Sequence, residues 1–245
     1  MKKLLSKFLG LEEISAMGRH LFYNLQPEMD SSELAGYFSR QTKYIVVPGF
    51  FERKNVLKTR NIPEGSAIFD YNSKQDNRKS AEQLARFIED NYWGSPLQAI
   101  VYSMGGLVLR YAVQLLGADK YVKSFVTIAT PHQGTLSPII LPFSLTTTSC
   151  WQMLPGSDFL KELNSAPLGK IEKVLCLRAD SLDELVFPLK NAKWPSTNRK
   201  IKNQKVPEVN GHANILSNEK SWGIALDFLN ERESQPGTSG EFGYF

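Results

Sequence analysis

Five short, unbroken apolar runs constrain this chain more than any other feature. They are Tyr44-Ile-Val-Val47, Ala67-Ile-Phe69, Gln98-Ala-Ile-Val-Tyr102, Phe125-Val-Thr-Ile128 and Val174-Leu-Cys-Leu177. Turn residues bound them, and none alternates apolar with polar as a strand with one wet face does. All five therefore read as strands covered on both sides. Helical patterns lie between them. Ser80-Ala-Glu-Gln83 reads as a capping box opening a helix with Leu84, Phe87 and Ile88 on one face. Met104 to Leu116 has helical spacing and stops at Gly117. Trp222, Ala225, Leu226 and Leu229 fall at i, i+3, i+4 and i+7. Alternating strands and helices imply an α/β fold, with a mostly parallel central sheet flanked by helices. Residues 1–42 read as an amphipathic helical leader, 43–231 as the domain and 232–245 as a flexible tail. Within the domain, 134–170 breaks the alternation and reads as an apolar, lid-like insertion.

Composition narrows the function classes. Of 245 residues, 42% are hydrophobic and 22% charged, which excludes collagen, coiled coil and wholesale disorder. A net charge of +4 is too mild to argue for nucleic acid. Two cysteines, Cys150 and Cys176, exclude a disulfide scaffold but leave one bridge open. Three histidines leave few ways to build a zinc site, and no metal or organic cofactor is implied. No stretch reads as membrane-spanning, because prolines break the longest charge-free segment. The N-terminus imitates a signal peptide, but Lys7, Glu12 and Glu13 interrupt it. A cytoplasmic protein is the expectation. Leu4, Leu5, Phe8, Leu9 and Leu11 beside Lys2, Lys3 and Lys7 leave peripheral membrane contact open. Oligomeric state is not readable.

The chemistry concentrates where the third run meets Ser103-Met104-Gly105-Gly106. A serine between a strand and a glycine-opened helix suggests a nucleophile elbow, with its hydroxyl raised above the sheet. The bland alternative is a tight turn whose serine caps the helix. Context favours the elbow. Asp183 follows the fifth run, and Asn210-Gly211-His212 precedes the last helix. Ser, Asp, His is the order expected when each residue follows a successive strand of such a sheet. A serine hydroxyl needs a base, and the base needs an orienting carboxylate. His212 fits the first role and Asp183 the second. Asp183 is preferred to Asp180 and Glu184 for its Asp-x-Leu-Val setting, and Glu208 lies too near His212 in sequence. The N–H groups of Met104 and Phe50 are the candidate oxyanion donors. Phe51, Leu136, Ile139, Phe143, Trp151 and Met153 are candidates for an apolar substrate pocket or lid. His132 reads as a structural turn residue, and His20 has no role.

These patches together resemble the α/β hydrolases of the bacterial lipase and esterase kind. The resemblance rests on Val46-Val-Pro-Gly-Phe50, Tyr102-Ser-Met-Gly-Gly-Leu107, Ala129-Thr-Pro-His-Gln-Gly-Thr135, Asp183-Glu-Leu-Val186 and Gly211-His212, with Gln152 to Leu160 as a weaker sixth. It spans roughly 43–230 and implies an ester hydrolase acting on lipid or small acyl esters. An acyltransferase or thioesterase using the same triad stays open, as does a non-catalytic lipid- or partner-binding protein. Two departures stand out. Pro48 replaces the family's oxyanion-turn histidine. Val101 replaces the first glycine of Gly-x-Ser-x-Gly, where a β-branched side chain is expected to push the elbow helix away or strain the turn.

Overall fold

The computed structural model describes residues 41–50, 62–137 and 139–231. The leader, Phe51 and the tail lie outside the described residues. The apolar runs become β1 (Tyr44–Val47), β2 (Ser66–Ile68), β3 (Leu97–Tyr102), β4 (Val122–Ile128) and β5 (Lys173–Arg178). A sixth strand, β6 (Ile201–Lys205), was not expected. All neighbours pair in parallel, in the order β2-β1-β3-β4-β5-β6.

Side-chain alternation along the buried strands feeds two apolar layers. Ile45, Val47, Ala99, Val101, Val174 and Cys176 face one side. There they meet the helices α1 (Asn77–Asp90) and α2 (Met104–Leu115). Tyr44, Val46, Ile100, Tyr102, Leu175 and Leu177 face the other. That side is covered by α6 (His212–Ser217) and α7 (Glu219–Asn230). Helix α1 starts earlier than the capping box implied. Asp76 is its N-cap and accepts from Arg78 N, whereas Ser80 is buried inside the helix. An aspartate one turn upstream caps the helix through its carboxylate, and the buried Ser80 hydroxyl instead donates to the Asp76 carbonyl and accepts from Gln75 Nε2.

The insertion holds three short helices, α3 (Leu141–Ser144), α4 (Thr148–Gln152) and α5 (Asp158–Ser165). Its second half belongs to the body, because Phe159, Leu160 and Leu163 are buried in the α1–α2 layer. Its first half leaves Leu136, Leu141, Leu145 and Trp151 exposed. Both cysteines are free, buried thiols.

The strand order sets the place of any site. After β1 the chain turns outward to β2, then crosses back to β3 on the other side of β1. The loops after β1 and β3 therefore diverge and open a crevice at the carboxyl ends of those strands, the usual ligand position in such sheets.

Candidate active site

Ser103 stands at that crevice with φ 51° and ψ −126°. A non-glycine residue at positive φ is strained by contact of its Cβ with the backbone. The strain is held in place from several sides. Ser103 N–H donates to the Ile128 carbonyl at 2.8 Å. A Cβ added to Gly105 would collide with the carbonyl oxygens of Val47 and Pro48, and one on Gly106 with the Thr130 side chain. Both glycines are thus required by the close approach of α2 to its neighbours. Val101 is fully buried in the same layer as Met104, Leu107 and Val108, and the turn forms with it in place.

The loop after β1 lies against the serine. A Cβ on Gly49 would sit 2.8 Å from Ser103 Cβ and 3.4 Å from its Oγ. Tyr71 braces this loop, donating its hydroxyl to the Pro48 carbonyl at 3.0 Å. Phe50 follows Gly49, and Met104 supplies the first amide of α2. First-turn amides have no carbonyl partner within their own helix and sit at its positive end.

His212 begins α6, and its Nδ1 lies 2.9 and 3.0 Å from the two carboxylate oxygens of Asp183. Both side chains are buried. With a carboxylate on Nδ1, the proton belongs there and Nε2 is left as the basic nitrogen. Asp183 Oδ1 also accepts the amides of Leu185 (3.0 Å) and Val186 (2.8 Å), which fix the carboxylate. The competing carboxylates go elsewhere. Asp180 holds Lys205 and the Glu208 amide. Glu184 accepts the His212 backbone N–H on both oxygens at 3.1 Å, binding the start of α6 to the acid loop.

Tyr102 joins the two halves of the site. Its hydroxyl donates to the His212 carbonyl at 2.7 Å, and its ring lies 4.9 Å from the imidazole. The residue before the serine therefore grips the residue that would be its base. Neither Tyr102, Tyr71 nor the backbone role of Glu184 was expected. The only sequence trace of Tyr102's role is its place beside the elbow.

The pocket candidates divide. Phe143 packs edge-on against Phe50, ring centroids 5.8 Å apart, at the site. Ile139 is half-buried, and Leu136 and Trp151 are exposed. Met153 is drawn into the core instead, where its carbonyl accepts the Thr135 amide at 2.8 Å. The insertion is tied to the acid loop by Thr135 Oγ1 to the Leu185 carbonyl (2.8 Å) and Ser137 Oγ to the Glu184 carbonyl (2.6 Å).

His132 lies behind the site, fully buried between Arg110 (3.2 Å) and Thr127 (3.0 Å). Its ring stacks on Trp194. Burial, then the adjacent guanidinium, hold its pKa well below the ordinary histidine range. Among the described residues Arg110 has no carboxylate partner. It donates to the Leu163 carbonyl and to Asn164, and lies 3.7 Å from the Trp194 ring centroid. Burial pulls its pKa down to about 9.

A six-stranded parallel sheet with helices on both faces and a strained serine at its switch point defines an α/β hydrolase. The family model described as lecithin:cholesterol acyltransferase matches residues 26–206, and the chain belongs to that family. Among solved structures it resembles a lipase of Bacillus licheniformis, BlEst2, in its mature form. That match has 17% identity and a TM-score of 0.63, covering 79% of this chain and 94% of that one. Lipase B of Aspergillus fumigatus matches at 20% identity and a TM-score of 0.63, covering 80% of this chain and 54% of the fungal one. A monoacylglycerol lipase of Paleococcus ferrophilus matches at 10% and 0.55, covering 79% and 95%. At these identities the likeness is one of fold. No curated protein matches by sequence.

Proposed function

We propose that this protein is a serine carboxylic-ester hydrolase acting on lipid acyl esters. Ser103 attacks the ester carbonyl while His212 Nε2 takes its proton. The tetrahedral oxyanion is held by the amides of Met104 and Phe50. His212 returns the proton to the departing alcohol, leaving an acyl-serine. Water then attacks the acyl-serine as His212 takes its proton; the tetrahedral centre collapses, the bond to Ser103 Oγ breaks, and His212 returns the proton to that oxygen as the acid leaves. Asp183 keeps the imidazole oriented and stabilises its charged form. The observation that carries this reading is the buried Asp183–His212 pair, held by Tyr102 to the end of the strand that leads into Ser103.

The test is hydrolysis of p-nitrophenyl esters of increasing chain length by the wild type and by Ser103→Ala, with fluorophosphonate labelling of both. Turnover and labelling that vanish together in the variant support the reading. A wild-type protein that neither hydrolyses any ester nor takes the label overturns it. Membership of an acyltransferase-described family favours a second reading, in which an alcohol replaces water at the acyl-serine. Ester product formed on adding an acceptor alcohol, at the expense of free acid, identifies that case.

A further inference from the structure

Between Glu184 and Glu208 the chain has no carboxylate and six cations: Lys190, Lys193, Arg199, Lys200, Lys202 and Lys205. This stretch alone carries more positive charge than the whole molecule, whose net charge is +4. All six residues are exposed. Lys205 pairs with Asp180 and Lys200 bonds the Ile171 carbonyl. Lys190, Lys193, Arg199 and Lys202 have no ion pair among the described residues.

Two of these cations, Lys190 and Lys193, lie near exposed apolar side chains, whereas Arg199, Lys200 and Lys202 lie at the amino end of β6, whose Ile201 pairs with Val174. Leu136 and Phe187 are 49% and 55% exposed, and the Leu136 amide donates to the Phe187 carbonyl at 2.7 Å. The turn carrying Lys190 and Lys193 is bonded to the same corner. Gln133 Nε2 donates to the carbonyls of both lysines, and Asn191 Nδ2 to that of Gly134. Phe187 lies four residues from Asp183, and Thr135 and Ser137, which flank Leu136, bond the carbonyls of Leu185 and Glu184, so this corner adjoins the acid loop of the candidate site.

We propose that this face docks on an anionic lipid bilayer. Leu136 and Phe187 enter the boundary of the acyl layer, and Lys190 and Lys193 meet lipid phosphates. A nucleic acid would match the charge but not the bare leucine and phenylalanine beside it. The inference rests on the lipid-ester reading, since it gives that site its source of substrate.

The test is co-sedimentation of Ser103→Ala protein with vesicles of phosphatidylcholine alone or mixed with phosphatidylglycerol, at low and high salt. The inactive variant leaves the lipid intact. Binding that needs phosphatidylglycerol, weakens with salt, falls about tenfold or more in K190E/K193E and falls in Phe187→Ser is the expected result. The K190E/K193E pair in the wild-type background should still hydrolyse a soluble short-chain ester normally. Equal binding to neutral vesicles, no loss in K190E/K193E, or retention on an oligonucleotide with none on vesicles overturns the proposal. Because binding is read without turnover, its failure leaves the ester reading standing. A protein that binds but never hydrolyses an ester sinks only the latter.

Discussion

Asp183 and Glu184 are adjacent carboxylates with separate tasks, one on the imidazole and one on the backbone of His212. Their loss should therefore look different. Asp183→Asn keeps the shape but frees the imidazole to take the wrong tautomer, and should cost about 10⁴ in kcat at little cost in fold. Glu184→Ala removes an anion from the start of α6, and should cost about 1 kcal/mol of stability with a smaller loss of rate. Steady-state kinetics beside urea unfolding separates the two. Ser103, Asp183 and His212 were legible as candidates because their order along the chain follows the order of the strands. Tyr102 and Glu184 were not. Their partners lie far away in sequence, and a hydrogen bond to a distant backbone leaves no local pattern.

Among the elements, α2 is the most constrained. Gly105 faces the carbonyls that end β1, and Gly106 faces Thr130 after β4. Adding one methyl to Gly106 should force the helix off the sheet at a cost of about 1–3 kcal/mol or more. Gly106→Ala is therefore expected to lower the thermal midpoint and to lose fluorophosphonate labelling even where it folds. The buried strands were readable because apolar residues fill both their faces. Strand β6 was hidden for the opposite reason. Ile201-Lys-Asn-Gln-Lys205 pairs only with β5 among the described strands and leaves most of its side chains in water, so it carries no apolar run. Its lysines suit an edge that must not pair with another chain. The insertion was legible as a break in the pattern, but not as half core, because Met153, Phe159 and Leu160 have no periodicity that sets them apart from Leu145 or Trp151.

At the scale of the whole molecule, the buried Arg110–His132 pair ties stability to pH. The folded chain keeps His132 neutral, while the unfolded chain takes up a proton below about pH 6.5. Its contribution is thus complete above that pH and declines below it, by at most about 1.4 kcal/mol per pH unit. Urea midpoints on either side of about pH 6.5 should show a loss on the acid side that shrinks in His132→Gln, whose side chain cannot titrate. A further consequence follows from how the insertion is fastened. Thr135 and Ser137 hold its entry to the acid loop, while Ser149 bonds the Ser73 carbonyl and Gln152 bonds Asp76 at its far side. Between these two piers, from Ile139 to Thr146, the backbone bonds among described residues stay within the span, return to Ser137 or reach on to Thr147. Within that span Ile140 is packed in the core and Phe143 against Phe50, while Leu145 is almost fully exposed. Leu145→Ser should therefore leave hydrolysis of a small soluble ester nearly intact while shifting the preferred acyl chain length, so substrate range can be altered at a side chain that holds none of the groups that break the bond.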